Sequence, residues 1–146
     1  MVKKNLILFF GSSGGIGQEL EKLLKKKYKV ISFYNKKKIL KKNNTISKKI
    51  NFLQDKDINK ITKIINLNKY KVVILNFASI KIDKLSFYIE ETDYKKTMEI
   101  NVNAFLKIIN KVIPFMMKHN GGRIINVSST GGILGDKGAI LYSISK

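Results

Sequence analysis

Near its end the chain carries Tyr142-Ser143-Ile144-Ser145-Lys146, a phenol and an ammonium four positions apart. On a helix that spacing stacks the two side chains on one face. A free phenol keeps its proton until about pH 10 and is a poor base near neutrality. A lysine one turn away favours the phenolate, so the pair can exchange a proton with an oxygen atom. A second constellation lies at the other end, Gly11-Ser12-Ser13-Gly14-Gly15-Ile16-Gly17, directly after the apolar run Leu6 to Phe10. Glycines there permit a tight turn and close approach of a ligand to the backbone. A helix opening at Gly15 would offer its free N–H groups and positive dipole end to a phosphate.

Alternating elements must hold these groups. Asn5 to Phe10 reads as a strand buried on both faces, and Gly15 to Lys26 as a helix with Ile16, Leu20, Leu23 and Leu24 at helical spacing. Tyr28 to Tyr34 is a second strand and Ile46 to Phe52 a weaker third, with a lysine-rich loop or short helix between them. Asp55 to Leu67 is a helix facing inward through Ile58, Ile61, Ile64 and Ile65, and Val72 to Phe77 is the strongest strand. Tyr94 to Lys118 reads as one long helix with an apolar stripe of Met98, Val102, Phe105, Ile109 and Val112, kinked or broken near Pro114. Gly121-Gly122 ends it, Arg123 to Val127 is a fifth strand, and Asp136 to Lys146 begins another helix. This order specifies an α/β fold, a doubly wound parallel sheet of Rossmann type with strand order 3-2-1-4-5. The ligand crevice is expected outside the carboxyl ends of strands 1 and 4. No linker divides the chain, so residues 1–146 read as one domain.

The motifs together resemble the short-chain dehydrogenase/reductase family over nearly the whole chain. The loop is similar to that family's T-G-x-x-x-G-I-G, with Phe10 where threonine is usual. Asn76-Phe77-Ala78-Ser79 stands where the family has N-N-A-G, so Ser79 replaces a glycine. Ile100-Asn101-Val102-Asn103 resembles the family's asparagine motif, and Gly122 to Ser129 its strand ending in a serine. Tyr142 follows Ser129 by the family's thirteen positions, which selects Ser129 over Ser128.

The resemblance implies an oxidoreductase that passes a hydride between NAD(P)(H) and a carbonyl or alcohol, 3-oxoacyl thioesters among the compatible substrates. Catalytic residues would be Asn101, Ser129, Tyr142 and Lys146. Tyr142 would supply the proton and Ser129 would hydrogen-bond the reacting oxygen. Lys146 would also hold the nicotinamide ribose, and Asn101 a water relaying protons toward Lys146. Gly11, Ser13, Gly15, Ile16, Gly17, Asn35, Lys36, Asn76 and Ala78 would bind the cofactor, with Tyr142 and Lys146. Strand 2 ends Ser32-Phe33-Tyr34-Asn35 and runs into Lys36-Lys37-Lys38. It has no carboxylate for a ribose 2′-hydroxyl, which favours NADP(H) over NAD(H). Asn51 or Asp55 would face the adenine. Family members continue beyond the Y-x-x-x-K lysine, so the chain is expected to be an incomplete domain with little turnover alone, its full form a homo-oligomer.

Composition narrows the alternatives. The formal charge is +19, but of 29 basic residues only Arg123 is arginine. Arginine is the residue suited to bidentate phosphate contacts, so this reads as a lysine-biased solvated surface and not a nucleic-acid face. There is no cysteine, which excludes disulfides, thiolate metal sites and a cysteine nucleophile. The lone His119 reads as a polar helix end, and no metal is expected. The apolar run after Lys3-Lys4 is too short for a signal peptide, and nothing approaches a membrane span, which points to the cytoplasm. A stand-alone nucleotide-binding module and a polyanion-binding protein on the same fold are the competing readings.

Overall fold

A computed structural model of the chain describes residues 5–35, 45–66 and 70–146. Strands β1 (Asn5–Phe10), β2 (Lys29–Tyr34), β3 (Thr45–Lys49), β4 (Lys71–Asn76) and β5 (Arg123–Asn126) form one sheet. Its order is β3-β2-β1-β4-β5 with every neighbouring pair parallel, the topology expected from the sequence. β1 is central. Its alternate side chains point to opposite faces, so Leu6, Leu8 and Phe10 enter one core while Ile7 and Phe9 enter the other.

The larger core lies beneath α2 (Asp55–Asn66) and α4 (Ala104–Lys118), where Ile58, Ile61 and Ile65 meet Ile108 and Val112. Each such side chain contributes roughly 1.5–3 kcal/mol by leaving water. α1 (Gly15–Leu24) covers the opposite face through Leu20 and Leu24. Ile16 and Leu23, expected on its inward face, are exposed; the buried positions include Gly17 and Glu21. Glu21 is 2% exposed and accepts hydrogen bonds from the Ser32 hydroxyl of β2 and, at 3.0 Å, from Lys25. A buried carboxylate is tolerable only when so partnered, and this one ties α1 to β2.

The region between β4 and β5 departs most from expectation. A single turn at Ser86–Tyr88 precedes α3 (Glu91–Met98), which starts three residues earlier than the pattern placed it. Glu90 and Asp93 form a reciprocal capping box there. Helix geometry then widens to a π segment over Glu99–Asn103 before α4 resumes. The buried stripe is Thr97, Asn101, Ala104, Phe105, Ile108 and Val112, not the one led by Met98 and Val102. Apolar periodicity could not find it, because two of its leading positions are polar. Pro114 does not end α4, which runs on to Lys118. Asn120 and Gly121, with φ of 60° and 93°, turn the chain into β5. β3 is shorter than expected and ends at Lys49, Ile50 continuing only through its N–H bond to Tyr34. The last segment is a short α5 (Gly131–Leu134), a loop through Gly135 and Gly138 at positive φ, and α6 (Ile140–Ser145). Among the described residues no helix is long and apolar enough to cross a membrane, and no group of His, Cys, Asp or Glu could hold a metal.

Candidate functional site

The glycine loop leaves β1 at Gly11, whose φ is +80°. A Cβ there would lie 2.5 Å from the Phe77 carbonyl carbon, and one on Gly17 would lie 2.4 Å from the Gly11 oxygen. Both are therefore required by packing: Gly11 lets the loop pass close against the chain leaving β4, and Gly17 lets α1 sit down on its own loop. Gly15 differs, since a Cβ there would meet nothing within 4 Å. Two further contacts brace the loop. Ser12, fully buried, donates to the Phe33 carbonyl, and Gln18 Nε2 donates to the Ser13 carbonyl at 2.8 Å. No side chain caps α1, so its first turn is left to present N–H groups outward.

A cleft of about 280 Å³ opens at this end of the sheet, bounded by Gly11, Ser13, Gly14, Tyr34, Asn35 and Ala78 among others. Gly15 and Ile16 stand exposed beside it. Gly17 and Asn76 lie behind it: Asn76 Nδ2 donates to Asn126 Oδ1 at 2.8 Å, and its own Oδ1 accepts from the Ala78 N–H at 3.2 Å. Asn76 thus shapes the wall and does not face the cleft. Lys36 lies outside the described residues. Asn51 and Asp55 do not line the cleft either. The Asn51 side chain accepts from the Leu53 N–H, and Asp55 is paired with Lys107. The sequence reading missed Phe33, Ile50 and Phe52, which line that end. Phe10, unusual in the loop motif, stacks on Phe33 with ring centres 4.5 Å apart, so its side chain belongs to the core supporting the cleft. No carboxylate lines it among the described residues.

Ser129, Tyr142 and Lys146 gather beyond the ends of β4 and β5. Ser129 Oγ accepts from the Gly131 N–H at 3.1 Å, and a Cβ on Gly131 would touch both that oxygen, at 3.4 Å, and the Tyr142 ring, at 3.7 Å. Lys146 Nζ donates to the Val127 carbonyl at 2.5 Å and stands 5.9 Å from the centre of the Tyr142 ring, close enough for ammonium and ring to attract. Ser128 points elsewhere and donates to the main-chain oxygen of Lys146 at 2.8 Å.

Asn101 joins the two halves. Its Oδ1 accepts from the Ile80 N–H at 2.8 Å, and its Nδ2 donates to the Ile80 carbonyl at 2.9 Å and to Ser145 Oγ at 2.8 Å. Ile80 is part of the cleft wall and Ser145 of the helix bearing Tyr142. Both amide hydrogens are committed, leaving one Oδ1 lone pair for a water. The arrangement therefore places a phenol, a hydroxyl and an ammonium at the same end of the sheet as the glycine loop.

The family model for short chain dehydrogenase matches residues 5–146. The chain belongs to that family. It is 35% identical over 147 residues to the 3-oxoacyl-(acyl-carrier-protein) reductase FabG of Rickettsia typhi, covering 95% of this chain and 59% of the relative. Against the protein of the same name from Buchnera aphidicola subsp. Schizaphis graminum it is 32% identical, covering 99% of this chain and 63% of the relative. It thus spans about three-fifths of the length of these curated relatives. Among solved structures, ElxO with NADP bound superposes with a TM-score of 0.82 at 25% identity, covering 99% of this chain and 62% of that one. The serine dehydrogenase of Escherichia coli shares the fold, with a TM-score of 0.83 at 18% identity, covering 96% of this chain and 69% of that one.

Proposed function

We propose that this chain supplies the NADP(H) site and the proton-transfer residues of a reductase acting on a carbonyl, most specifically a 3-oxoacyl thioester. The observation that supports it best is the meeting of Ser129 and Tyr142 at Gly131, with the Lys146 ammonium 5.9 Å from the centre of the Tyr142 ring, bridged to the glycine-loop cleft by Asn101. The cleft fits a dinucleotide. Gly15 leaves open space, α1 presents an uncapped first turn, and no carboxylate lines the cleft among the described residues. Gly11, Ser13, Gly15 and Ile16 would hold the pyrophosphate, with Gly17 and Asn76 shaping the loop and wall behind them. Asn35 and Lys36 would meet the 2′-phosphate, Ala78 would flank the nucleoside, and Tyr142 and Lys146 would hold the nicotinamide ribose.

When bound, the nicotinamide supplies or accepts the hydride. The chain's own residues manage the oxygen. Ser129 Oγ is held by the Gly131 N–H with its hydroxyl hydrogen free to donate to a substrate oxygen. The Tyr142 hydroxyl delivers the proton to that oxygen as charge develops there. Lys146, held by the Val127 carbonyl, keeps its ammonium beside the Tyr142 ring. Asn101 holds the tyrosine helix against the cleft wall. The names of the relatives support the 3-oxoacyl substrate class, and the same reading carries with it a cytoplasmic setting and self-association.

Thermal melts with NADPH and with NADH test the cofactor. At a hundredfold excess over Kd a ligand stabilises by about 2.7 kcal/mol, which moves the midpoint of a chain this size by roughly 8 °C. NADPH is expected to produce that shift and NADH a smaller one. Any reduction of a 3-oxoacyl thioester should disappear in Tyr142→Phe, while most of the NADPH shift remains because the glycine loop and Lys146 still hold the nucleotide. A cooperative melt indifferent to both nucleotides overturns the reading.

A further inference from the structure

The π segment poses a question that the catalytic reading does not answer. An i→i+5 turn is disfavoured against an α-helix of the same sequence and persists only where something holds it. On its inner side Asn101 supplies two contacts to Ile80 and one to Ser145. On its outer side, one carboxylate brackets the whole segment. Glu99 is the first residue of the π segment and Asn103 the last. Glu99 Oε2 accepts from Asn103 Nδ2 at 3.0 Å, and Oε1 accepts from Lys107 Nζ at 2.7 Å, one turn into α4. Lys107 reaches on to Asp55 Oδ1 at the start of α2, at 2.9 Å.

The two arms of this network are unequal. The Glu99 side chain is 28% exposed and that of Asp55 72%. An exposed pair of long side chains contributes little, whereas a partly shielded carboxylate with two donors is held more firmly. The constraint therefore acts along the helix, across residues 99, 103 and 107, and only weakly toward α2.

We infer that Glu99, clamped by Asn103 and Lys107, is a positioning residue that fixes the π turn and thereby aims Asn101 at Ile80 and Ser145. Without the clamp the segment relaxes toward α geometry, which rotates Asn101 away from the cleft wall. Its consequence for turnover rests on the proposed function; its consequence for Ile80 does not.

Hydrogen exchange at the Ile80 amide is the direct reporter, because that N–H donates to Asn101 Oδ1. In Glu99→Ala and in Lys107→Met, Ile80 exchange should accelerate about tenfold, the scale expected when a charge-assisted contact is lost from a locally opening segment. Exchange at Leu8 and Ile74 in the central strands should not change, and Lys107→Arg should restore Ile80 protection. Asp55→Asn should leave Ile80 as in the parent chain. Where 3-oxoacyl thioester reduction is measurable, Lys107→Met should lower kcat with KM for NADPH unaltered. Uniform acceleration across the sheet, or unchanged Ile80 exchange in folded Lys107→Met, overturns the inference. If Glu99→Ala fails to fold, Lys107→Met and its arginine rescue decide it. A parent chain whose melt is indifferent to NADPH counts against the reductase reading alone, since Ile80 exchange is read without nucleotide or turnover.

Discussion

Two glycines six and four residues past Gly11 provide a matched test of the cleft. Gly17→Ala places a methyl 2.4 Å from the Gly11 oxygen, 2.9 Å from Ser12 Cα and 3.0 Å from Ser12 C. All three neighbours are backbone atoms, so no side chain can swing aside. A carbon–oxygen contact settles near 3.2–3.5 Å, so the loop or the helix must give by roughly 1 Å. Helix propensity favours the alanine by about 1 kcal/mol, and overpacking opposes it by about 1–3 kcal/mol. The net expectation is a loss of about 1 kcal/mol and a midpoint lower by roughly 3 °C. Gly15→Ala meets nothing within 4 Å, so it keeps a few tenths to about 1 kcal/mol of the propensity gain. Its unliganded midpoint should rise. Yet its methyl occupies the space assigned to the pyrophosphate, so both variants should lose most of the NADPH-induced shift, for opposite reasons. Calorimetric melts with and without NADPH separate them. A Gly17→Ala chain melting at or above the parent, with its NADPH response intact, refutes the packing argument.

Other substitutions probe the contacts around this site. Asn101→Ala removes partners from the Ile80 N–H and carbonyl together, so urea unfolding should show a loss of about 2–4 kcal/mol. Glu21→Ala strips Ser32 of its buried acceptor but leaves Lys25 a path to water, which predicts about 1–3 kcal/mol by the same measurement. The Lys107 and Asn103 hydrogen bonds hold the Glu99 carboxyl below its ordinary range, against opposing burial and the Asp55 charge. A depressed carboxyl contributes stability that is complete above its unfolded value and lost as pH falls through the folded one. Ile80 protection should therefore hold at neutral pH and weaken only below the ordinary glutamate range; weakening that begins near pH 6 would contradict this.

Much of the site could be read from residue types alone, and the reason is local. The glycine loop follows a buried strand because the turn needs residues without Cβ at Gly11 and Gly17, a requirement of backbone geometry that leaves its mark directly in sequence. The Tyr142–Lys146 spacing works because Tyr142 lies in α6 and Lys146 caps its end. The parallel order β3-β2-β1-β4-β5 likewise follows from alternating apolar runs and right-handed crossovers. Other features depended on long-range partners. Asn101 and Thr97 are polar residues on a buried stripe, so a search for apolar periodicity passed over them and chose a neighbouring face. Glu21 reads as a surface residue until Ser32, eleven residues on, is brought beside it. Asn76 resembles a ligand-facing residue in its motif, yet Asn126, fifty positions away, claims its side chain. Short-range rules therefore determined which reactive residue types the chain carries and at what spacing. The tertiary structure decided which polar groups touch the site and which support it, because a buried hydrogen bond needs a partner that only folding supplies.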